Sequence, residues 1–352
     1  MKEQSMQEAI PVLMDARRSE QHLVPREPAG RAHYFLSCLG SMERRHSGPM
    51  DDWMATCKRL ASLLSVETML ADQGDSRIYV NVTARSKALE FATAMAERCL
   101  DSPLFSRDAK LRLVFVAVTE RHNRLACLLA ADLGASSLLE VQEGNLKRTL
   151  AIGGSFGNPC SALEKAMQPG CTAFAPLSAM LSDDELLKAR GSTNASFLHT
   201  AYADGCWEAM ITLLDRLPEM AALEDQRGVP AIAQPVGRPP PLELYRRLVQ
   251  ATPPELLLRQ GIGGGTALHR AVNLFAPGYV EALLQHMPVK GRAIANNNGL
   301  TALDIAEQRY DGTIRHRRLA QATGEYESRP YQADGLPIIE MLAVGRMTKA
   351  AT

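Results

Sequence analysis

The sequence predicts an all-α protein, a solenoid in which helix–turn–helix units stack one on the next. Two observations predict this fold class: apolar patterns with helical spacing return at a nearly fixed interval, and the composition suits cores formed between helices. Hydrophobic residues make up 46% of the 352 residues but aromatic residues only 5%, as expected where leucine, alanine and valine fill the space between small helices. Such a stack buries a continuous core, so the chain can form one elongated array.

The clearest unit covers residues 264–271 (GGTALHRA) and 279–284 (YVEALL). The Thr266 hydroxyl can accept hydrogen bonds from backbone N–H groups that a helix leaves open at its start, so Thr266 is the predicted cap of a first helix. Apolar residues at helical spacing then mark one buried face on each of two helices. They are Leu268, Ala271 and Val272 on the first helix and Val280, Leu283 and Leu284 on the second.

Equivalent starts occur at five places along the chain: Ser161, Ser196, Pro230, Thr266 and Thr301. Successive starts are 35, 34, 36 and 35 residues apart. In two units a glycine, Gly170 or Gly205, lies where the turn between the two helices is expected. A fixed period over five units predicts a repeated supersecondary structure.

The sequence Thr-Ala-Leu-His-Arg-Ala at Thr266 resembles the ankyrin-repeat signature Thr-Pro-Leu-His-x-Ala, and the ankyrin period of about 33 residues is close to the observed spacing. The resemblance implies an ankyrin-repeat solenoid over residues 111–352. The expected repeats cover 111–139, 161–195, 196–229, 230–265, 266–300 and 301–352. The unit at Pro230 departs from the family, because its prolines cannot enter a regular helix, and we expect an extended Pro-rich loop over 233–241.

The remaining segments are predicted in chain order. Residues 1–48 are polar and interrupted by prolines, and we expect a flexible leader. Residues 49–110 contain two amphipathic helical patterns, which we expect to form a helical N-terminal cap on the exposed end of the stack. A glycine-rich insertion over 140–160 separates the first two repeats. Ser182, with Glu185 three residues later, predicts a capping box at the start of a short helix.

The second helix of the last repeat has two candidates. The segments 314–322 and 336–347 both carry apolar residues at suitable spacing, and the segment that does not complete the repeat is expected to act as a C-terminal cap. The first helix of this repeat is expected to run from Thr301 to about Arg309.

Charge, cysteine content and hydropathy exclude several classes of protein. Lys+Arg and Asp+Glu both number 39, so the overall charge favours neither nucleic acid nor an anionic membrane as partner. The seven cysteines lie mostly in apolar helical segments without close pairs, which indicates reduced core residues. The start has no signal-peptide pattern, and the longest apolar run, 113–118, is too short for a membrane span. We therefore expect a cytoplasmic protein.

Candidate catalytic patterns are weak. The segment Gly261–Thr266 is glycine-rich but lacks the lysine of a phosphate-binding loop, so a turn leading into a helix is expected. His199 and His269 occupy the same repeat position, where ankyrin histidines bond neighbouring turns, and Asp304 takes this place in the last repeat. Cys38 has histidines near it but no third group to complete a catalytic set. The sequence predicts no enzyme, no cofactor and no metal site.

The ankyrin resemblance implies that a partner protein is recognised in a concave groove, by the hairpin tips and the first helices. The tip residues at matching positions are Ala195, Gln226, Arg227, Gly265, Asn297, Asn298 and Leu300. The first-helix residues are Ala203, Asp204, Arg270, Asn273, Leu274, Gln308 and Arg309. Phe197 replaces the usual proline, and this aromatic residue either anchors the partner or packs in the core.

These observations predict a monomeric protein-interaction module with another protein as its partner. The specific hypothesis is a translocated bacterial effector that acts on a host protein, in which case the leader would carry a signal for a non-Sec secretion route. Two alternatives stay open: an enzyme whose active site is built from the cap and residues 140–159, and an inhibitor of a co-encoded protein. A deep polar pocket would favour the enzyme, whereas a shallow continuous groove would favour the binder.

Overall fold

The structure is a computed structural model, which describes seven stretches of the chain. They are residues 89–119, 121–142, 160–168, 170–236, 239–274, 276–311 and 335–347. Within them the fold is all-α apart from one small two-stranded sheet. The chain divides into two compact units, Met1–Glu185 and Leu186–Thr352. The predicted leader, most of the predicted cap and the candidate helix at 314–322 lie outside the described residues.

The first compact unit begins its described part with three helices. These are α1 (Leu89–Cys99), α2 (Arg107–Thr119) and α3 (Asn123–Leu133). Helices α2 and α3 pack as an antiparallel pair, and α1 packs on α3. Helix α1 lies within the predicted cap, and the helix pair expected of the first repeat, 111–139, is confirmed as α2 and α3.

Helix α2 begins four residues before the predicted repeat start at Leu111. The hydroxyl of Ser106 accepts a hydrogen bond from the Ala109 N–H at 3.2 Å, and its carbonyl accepts from the Lys110 N–H at 3.0 Å. Serine is a favoured N-cap because it satisfies N–H groups that the helix itself leaves open. The cap at Ser106 therefore adds one turn that apolar spacing alone did not include.

The two ends of the glycine-rich insertion pair with each other as a short antiparallel ladder. Strand β1 (Val141–Gln142) pairs with β2 (Cys160–Ser161), with Val141 opposite Ser161 and Gln142 opposite Cys160. Residues 143–159 lie outside the described residues. The ladder therefore fixes where the two ends of the insertion lie, next to each other and directly before the next helix.

Three short helices follow the ladder: α4 (Ala162–Ala166), α5 (Phe174–Ser178) and α6 (Asp183–Lys188). The predicted capping box at the start of α6 is confirmed. The Ser182 N–H donates to Glu185 Oε2 at 2.8 Å, and the Glu185 N–H donates to Ser182 Oγ at 3.3 Å. The same bonds, from the Ser182 backbone first and its hydroxyl second, lower the pKa of Glu185.

The second compact unit contains the helices at the later predicted starts. These are α7 (Phe197–Asp204), α8 (Trp207–Arg216), α9 (Leu242–Ala251), α10 (Ala267–Asn273), α11 (Pro277–His286), α12 (302–311) and α13 (Gly335–Met347). The apolar positions predicted around Thr266 are buried, except that Leu284 is partly exposed. The apolar spacing in the sequence thus marks the core face of these helices.

The second helices of successive units form one layer. Helix α8 packs on α9, α9 on α11, and α11 on α13. Helix α13 covers the candidate segment 336–347 and continues this layer, while the other candidate, 314–322, lies outside the described residues. The first helices lie beside this layer, and the 3-10 helix Ala231–Ala233 contacts both α7 and α10.

The unit at Pro230 has a Pro-rich loop where the other units have a first helix. Only the three-residue 3-10 helix Ala231–Ala233 precedes it, and the second helix, α9, starts at Leu242. The prediction of an extended loop over 233–241 is confirmed for 234–236 and 239–241, which have no regular secondary structure, but Ala233 ends the 3-10 helix. Pro240 is buried, and its carbonyl accepts a hydrogen bond from the Tyr279 hydroxyl at 2.5 Å.

Two further properties concern the described residues alone. The structure describes five cysteines, and none of them forms a disulfide: Cys99, Cys127, Cys160, Cys171 and Cys206. None of the helices found there combines the length and the apolar character that crossing a membrane requires.

The turn between α2 and α3 contains a strained residue. Arg121 has a φ of 62°, and the equivalent positions in later turns hold Gly170 and Gly205, with φ of 75° and 71°. A left-handed conformation costs a residue with a side chain about 1–2 kcal/mol, whereas glycine adopts it freely. We expect Arg121→Gly to raise the free energy of unfolding by about 1 kcal/mol, measured by thermal melting.

The matched control for Arg121→Gly is Gly205→Arg. A side chain at Gly205 acquires the same strain and also meets the Trp207 ring, 3.4 Å from the added Cβ. The two substitutions should therefore shift the melting temperature in opposite directions. A lower melting temperature for Arg121→Gly would contradict the explanation by backbone strain.

Candidate functional site

Four five-residue turns with the same backbone hydrogen bonds recur in the second compact unit. They cover 191–195, 225–229, 261–265 and 296–300, and we call them tip turns. In each, the N–H of the first residue donates to the carbonyl of the fifth, and the N–H of the fourth donates to the carbonyl of the first, at 2.8–3.0 Å. Successive tip turns start 34, 36 and 35 residues apart. The period of the sequence is therefore also a period of backbone geometry.

The fourth residue of every tip turn is left-handed. Asn194, Gly228, Gly264 and Gly299 have φ of 57°, 70°, 71° and 73°. Glycine adopts this conformation without a steric penalty, and asparagine tolerates it better than other residues with side chains. Each tip turn is followed at once by the capping residue of the next unit, so the turn sets where that unit begins.

Side chains lock two of the tip turns. Asp225 Oδ1 accepts from the N–H groups of Arg227 at 2.8 Å and Val229 at 3.0 Å. Asn296 Oδ1 does the same for Asn298 at 2.9 Å and Leu300 at 3.1 Å. Antiparallel bridges, Glu224 with Pro230 and Ala295 with Thr301, close the same two turns. The tips are therefore ordered β-turn hairpins.

Two buried histidines join a unit to the tip turn of the next unit. His199 lies 2.7 Å from the Ser196 hydroxyl through Nδ1 and 3.0 Å from the Val229 carbonyl through Nε2. His269 lies 2.9 Å from the Thr266 hydroxyl through Nδ1 and 3.1 Å from the Leu300 carbonyl through Nε2. We call these the histidine staples. The prediction that both histidines bond neighbouring turns is confirmed.

The hydrogen-bond partners of His199 and His269 show which ring nitrogen of each imidazole carries the proton. The Thr266 backbone N–H donates to His269 Nδ1 at 3.2 Å, so this nitrogen carries no proton. Nε2 is then the protonated nitrogen and donates to the Leu300 carbonyl. His199 faces the Val229 carbonyl in the same way, which again places the proton on Nε2. Both imidazoles act in their neutral form.

Burial lowers the pKa of His199 and His269 below the ordinary value of 6.5, although their bonds to the Val229 and Leu300 carbonyls act in the opposite direction. In the unfolded chain both histidines take up a proton as the pH falls through about 6.5, whereas in the folded chain they stay neutral to lower pH. We therefore expect the melting temperature to be constant above about pH 7.5 and to fall as the pH drops below 6.5.

The control for this pH dependence is the double variant His199→Asn, His269→Asn. Asparagine can still accept the capping hydrogen bonds but does not titrate. Its melting temperature should change less between pH 7 and pH 5 than that of the unchanged chain. An equal change in both proteins would show that the staples do not cause the acid sensitivity.

Most of the predicted partner-binding residues lie at the surface. The exposed residues are Ala203, Asp204, Gln226, Arg227, Asn273, Asn297, Asn298, Gln308 and Arg309, while Arg270, Leu274 and Leu300 are partly exposed. Ala195 and Gly265, each the fifth residue of its tip turn, are buried. Phe197 is fully buried, so of its two predicted roles it packs in the core and is not available as an anchor.

The structure adds contacts that the sequence analysis missed. The Asn297 N–H donates to the Gly263 carbonyl at 3.1 Å, and Arg309 donates to the Asn273 carbonyl. Ile262, in the third tip turn, is 55% exposed. An isoleucine set between glycines in a turn was the available signal for this exposed apolar position.

The described residues place hydrogen-bonding side chains and one large apolar side chain on the exposed tip turns. They contain no group of three or more His, Cys, Asp or Glu side chains that could hold a metal ion. The two buried histidines of the second compact unit, His199 and His269, both take part in the staples. The exposed groups on the tips are chiefly carboxamides, an arginine and the Ile262 side chain.

Comparison with known proteins does not assign this chain to a family. No family model matches the sequence, and no curated protein matches it.

Proposed function

We propose that this chain is an ankyrin-repeat protein that binds a partner protein through its tip turns and first helices. The observation that carries the proposal is the fourfold recurrence of one tip-turn geometry, each time directly before a capping residue. The histidine staples support it, because they place the Ser/Thr-x-x-His sequence in the bonding role that the ankyrin resemblance implies. Repeat stacks present extended surfaces that commonly bind other proteins.

The composition of the exposed surface supports a protein as the partner. Gln226, Asn297 and Asn298 on the tips and Gln308 on α12 are exposed carboxamides, each able to donate and to accept hydrogen bonds. Ile262 adds an exposed apolar side chain on the same row of tip turns. An apolar centre with a polar surround is the common anatomy of a protein–protein interface.

The proposal is tested by affinity capture with the full chain from bacterial and from host-cell lysates. The test variant is Gln226→Arg with Asn298→Arg, which changes two exposed tip positions. The control variant is Ile211→Arg with Val289→Arg, which changes exposed residues on α8 and after α11. The interaction is then measured with the purified partner, since a lysate only nominates candidates.

The expected result is a partner that binds the unchanged chain and the control variant but binds the tip variant at least about tenfold more weakly. All three proteins should show the same melting temperature. If the control variant loses the partner and the tip variant keeps it, binding lies on the second-helix layer and the proposal is wrong. If no protein from either source binds the purified chain, the interaction function itself is contradicted.

A further inference from the structure

The contacts between consecutive units differ along the stack of residues 196–311. We define a joint as the contact between the first helix of a unit, or the segment in its place, and the tip turn that lies directly before the next unit. The first joint connects α7 with turn 225–229, the central joint connects residues 230–236 with turn 261–265, and the last joint connects α10 with turn 296–300. We propose that the central joint is an articulation that opens on the side of the tip turns.

The first and last joints are held by backbone-directed hydrogen bonds. At the first joint His199 bonds the Val229 carbonyl, and at the last joint His269 bonds the Leu300 carbonyl. The last joint also has the bond from Asn297 N–H to the Gly263 carbonyl, and Gln260 Nε2 donates to the Ala295 carbonyl at 2.8 Å. These bonds fix the distance between neighbouring tips.

Within the described part of the chain, no histidine staple crosses the central joint. Ala233 takes the position of the histidine and has no side-chain donor, and Pro230 takes the position of the capping residue and has no N–H. Gly261 lies directly against the Ala233 carbonyl, with an added Cβ at 2.8 Å from that oxygen, but this is a contact without a hydrogen bond.

Among the described residues, one ion pair crosses the central joint on the tip side. Arg259 Nε lies 2.9 Å from Glu224 Oε1, with side chains 56% and 32% exposed. Glu224 Oε1 is itself buried and accepts no hydrogen bond among the described residues, but more than half of the Arg259 side chain is in solvent. Ion pairs at the surface contribute little to stability and are weakened by salt. The tips at 225–229 and 261–265 are therefore held together less firmly than the tips at 261–265 and 296–300.

The opposite side of the central joint is firmly held. The rings of Tyr245 on α9 and Tyr279 on α11 have centroids 4.8 Å apart, and the Tyr279 hydroxyl bonds the Pro240 carbonyl. An added Cβ at Gly278 would lie 2.8 Å from a methyl carbon of Leu242, which shows how closely α9 and α11 approach. We therefore expect the units on either side of the central joint to rotate about the α9–α11 contact, which separates the tip turns 225–229 and 261–265.

This inference concerns the fold and does not depend on the proposed partner. It is tested by pulsed electron paramagnetic resonance on the full chain, with spin labels attached to genetically encoded side chains so that the native cysteines stay unlabelled. One pair, at Gln226 and Ile262, spans the central joint. The matched pair, at Ile262 and Asn298, spans the last joint. All three positions are exposed, and labelled proteins are accepted only if their melting temperature is unchanged.

The distance distribution of the central pair is expected to be about twice as broad as that of the matched pair. Raising the salt concentration to about 1 M should broaden the central distribution alone, because salt screens exposed ion pairs but hardly affects buried hydrogen bonds. Glu224→Gln should have the same effect as salt, and His269→Asn should broaden the matched pair instead. Equal widths for both pairs, or a central distribution that neither salt nor Glu224→Gln changes, would overturn the proposal.

Discussion

Replacing Gly264 with alanine is expected to lower the free energy of unfolding by about 3 kcal/mol. Gly264 has a φ of +71°, and an added Cβ would lie 2.6 Å from the Asn297 backbone nitrogen and closer still to its Oδ1 atom. The alanine therefore combines backbone strain with a collision between two tip turns. Urea denaturation measures the change.

Gly299→Ala is the matched control for this substitution. Gly299 occupies the same position of the last tip turn, with a φ of +73°, but nothing lies within 4 Å of an added Cβ. It should cost only the strain of a left-handed residue, about 1 kcal/mol. Gly299→Asn should lower the free energy of unfolding by less than Gly299→Ala does, since Asn194 already occupies this position in the first tip turn. Equal losses for Gly264→Ala and Gly299→Ala would show that tip-to-tip packing is unimportant.

His269→Ala is expected to cost about 3 kcal/mol of unfolding free energy. The substitution removes the donor to the Leu300 carbonyl and the acceptor of the Thr266 N–H. It also leaves a space where a buried imidazole was packed. A buried donor without a partner costs about 1–3 kcal/mol on its own. Urea denaturation at pH 8 isolates this loss from any titration of the remaining histidines.

His269→Asn separates the two roles of the imidazole. Asparagine at this position can still accept from Thr266, as Asp304 does for Thr301, whose N–H donates to Asp304 Oδ2 at 2.8 Å. It is too short to reach the next tip turn. The free energy of unfolding that His269→Asn loses should therefore lie between zero and the loss in His269→Ala. If asparagine restored full stability, the bond to Leu300 would contribute nothing and the staple would be a cap alone.

The helices and their order could be predicted because the signals are local. Apolar spacing after Thr266 and the capping box at Ser182 concern residues within a few positions of each other. The same holds for the prolines that displace the first helix of the Pro230 unit. The choice between 314–322 and 336–347 could not be made locally, because it depends on which segments pack against α11, as α13 does.

Surface properties were harder to predict than helices. Phe197 follows a capping serine and is aromatic, so the sequence allowed both an exposed anchor and a core residue, and its complete burial settled the question. Ile262 was treated as part of a turn, yet it is the exposed apolar residue of the tips. Exposure depends on which chain segments pack over a residue. A repeat pattern identifies these segments but does not predict how closely they pack.

The short β1–β2 ladder makes this protein a convenient host for foreign sequence. Because Gln142 and Cys160 are paired across the ladder, whatever connects them starts and finishes at nearly one point. Lengthening a loop whose ends already meet costs only about 0.6 kcal/mol for each doubling of its length. A peptide epitope, or a small domain with adjacent termini, therefore has suitable points of attachment at Gln142 and Cys160.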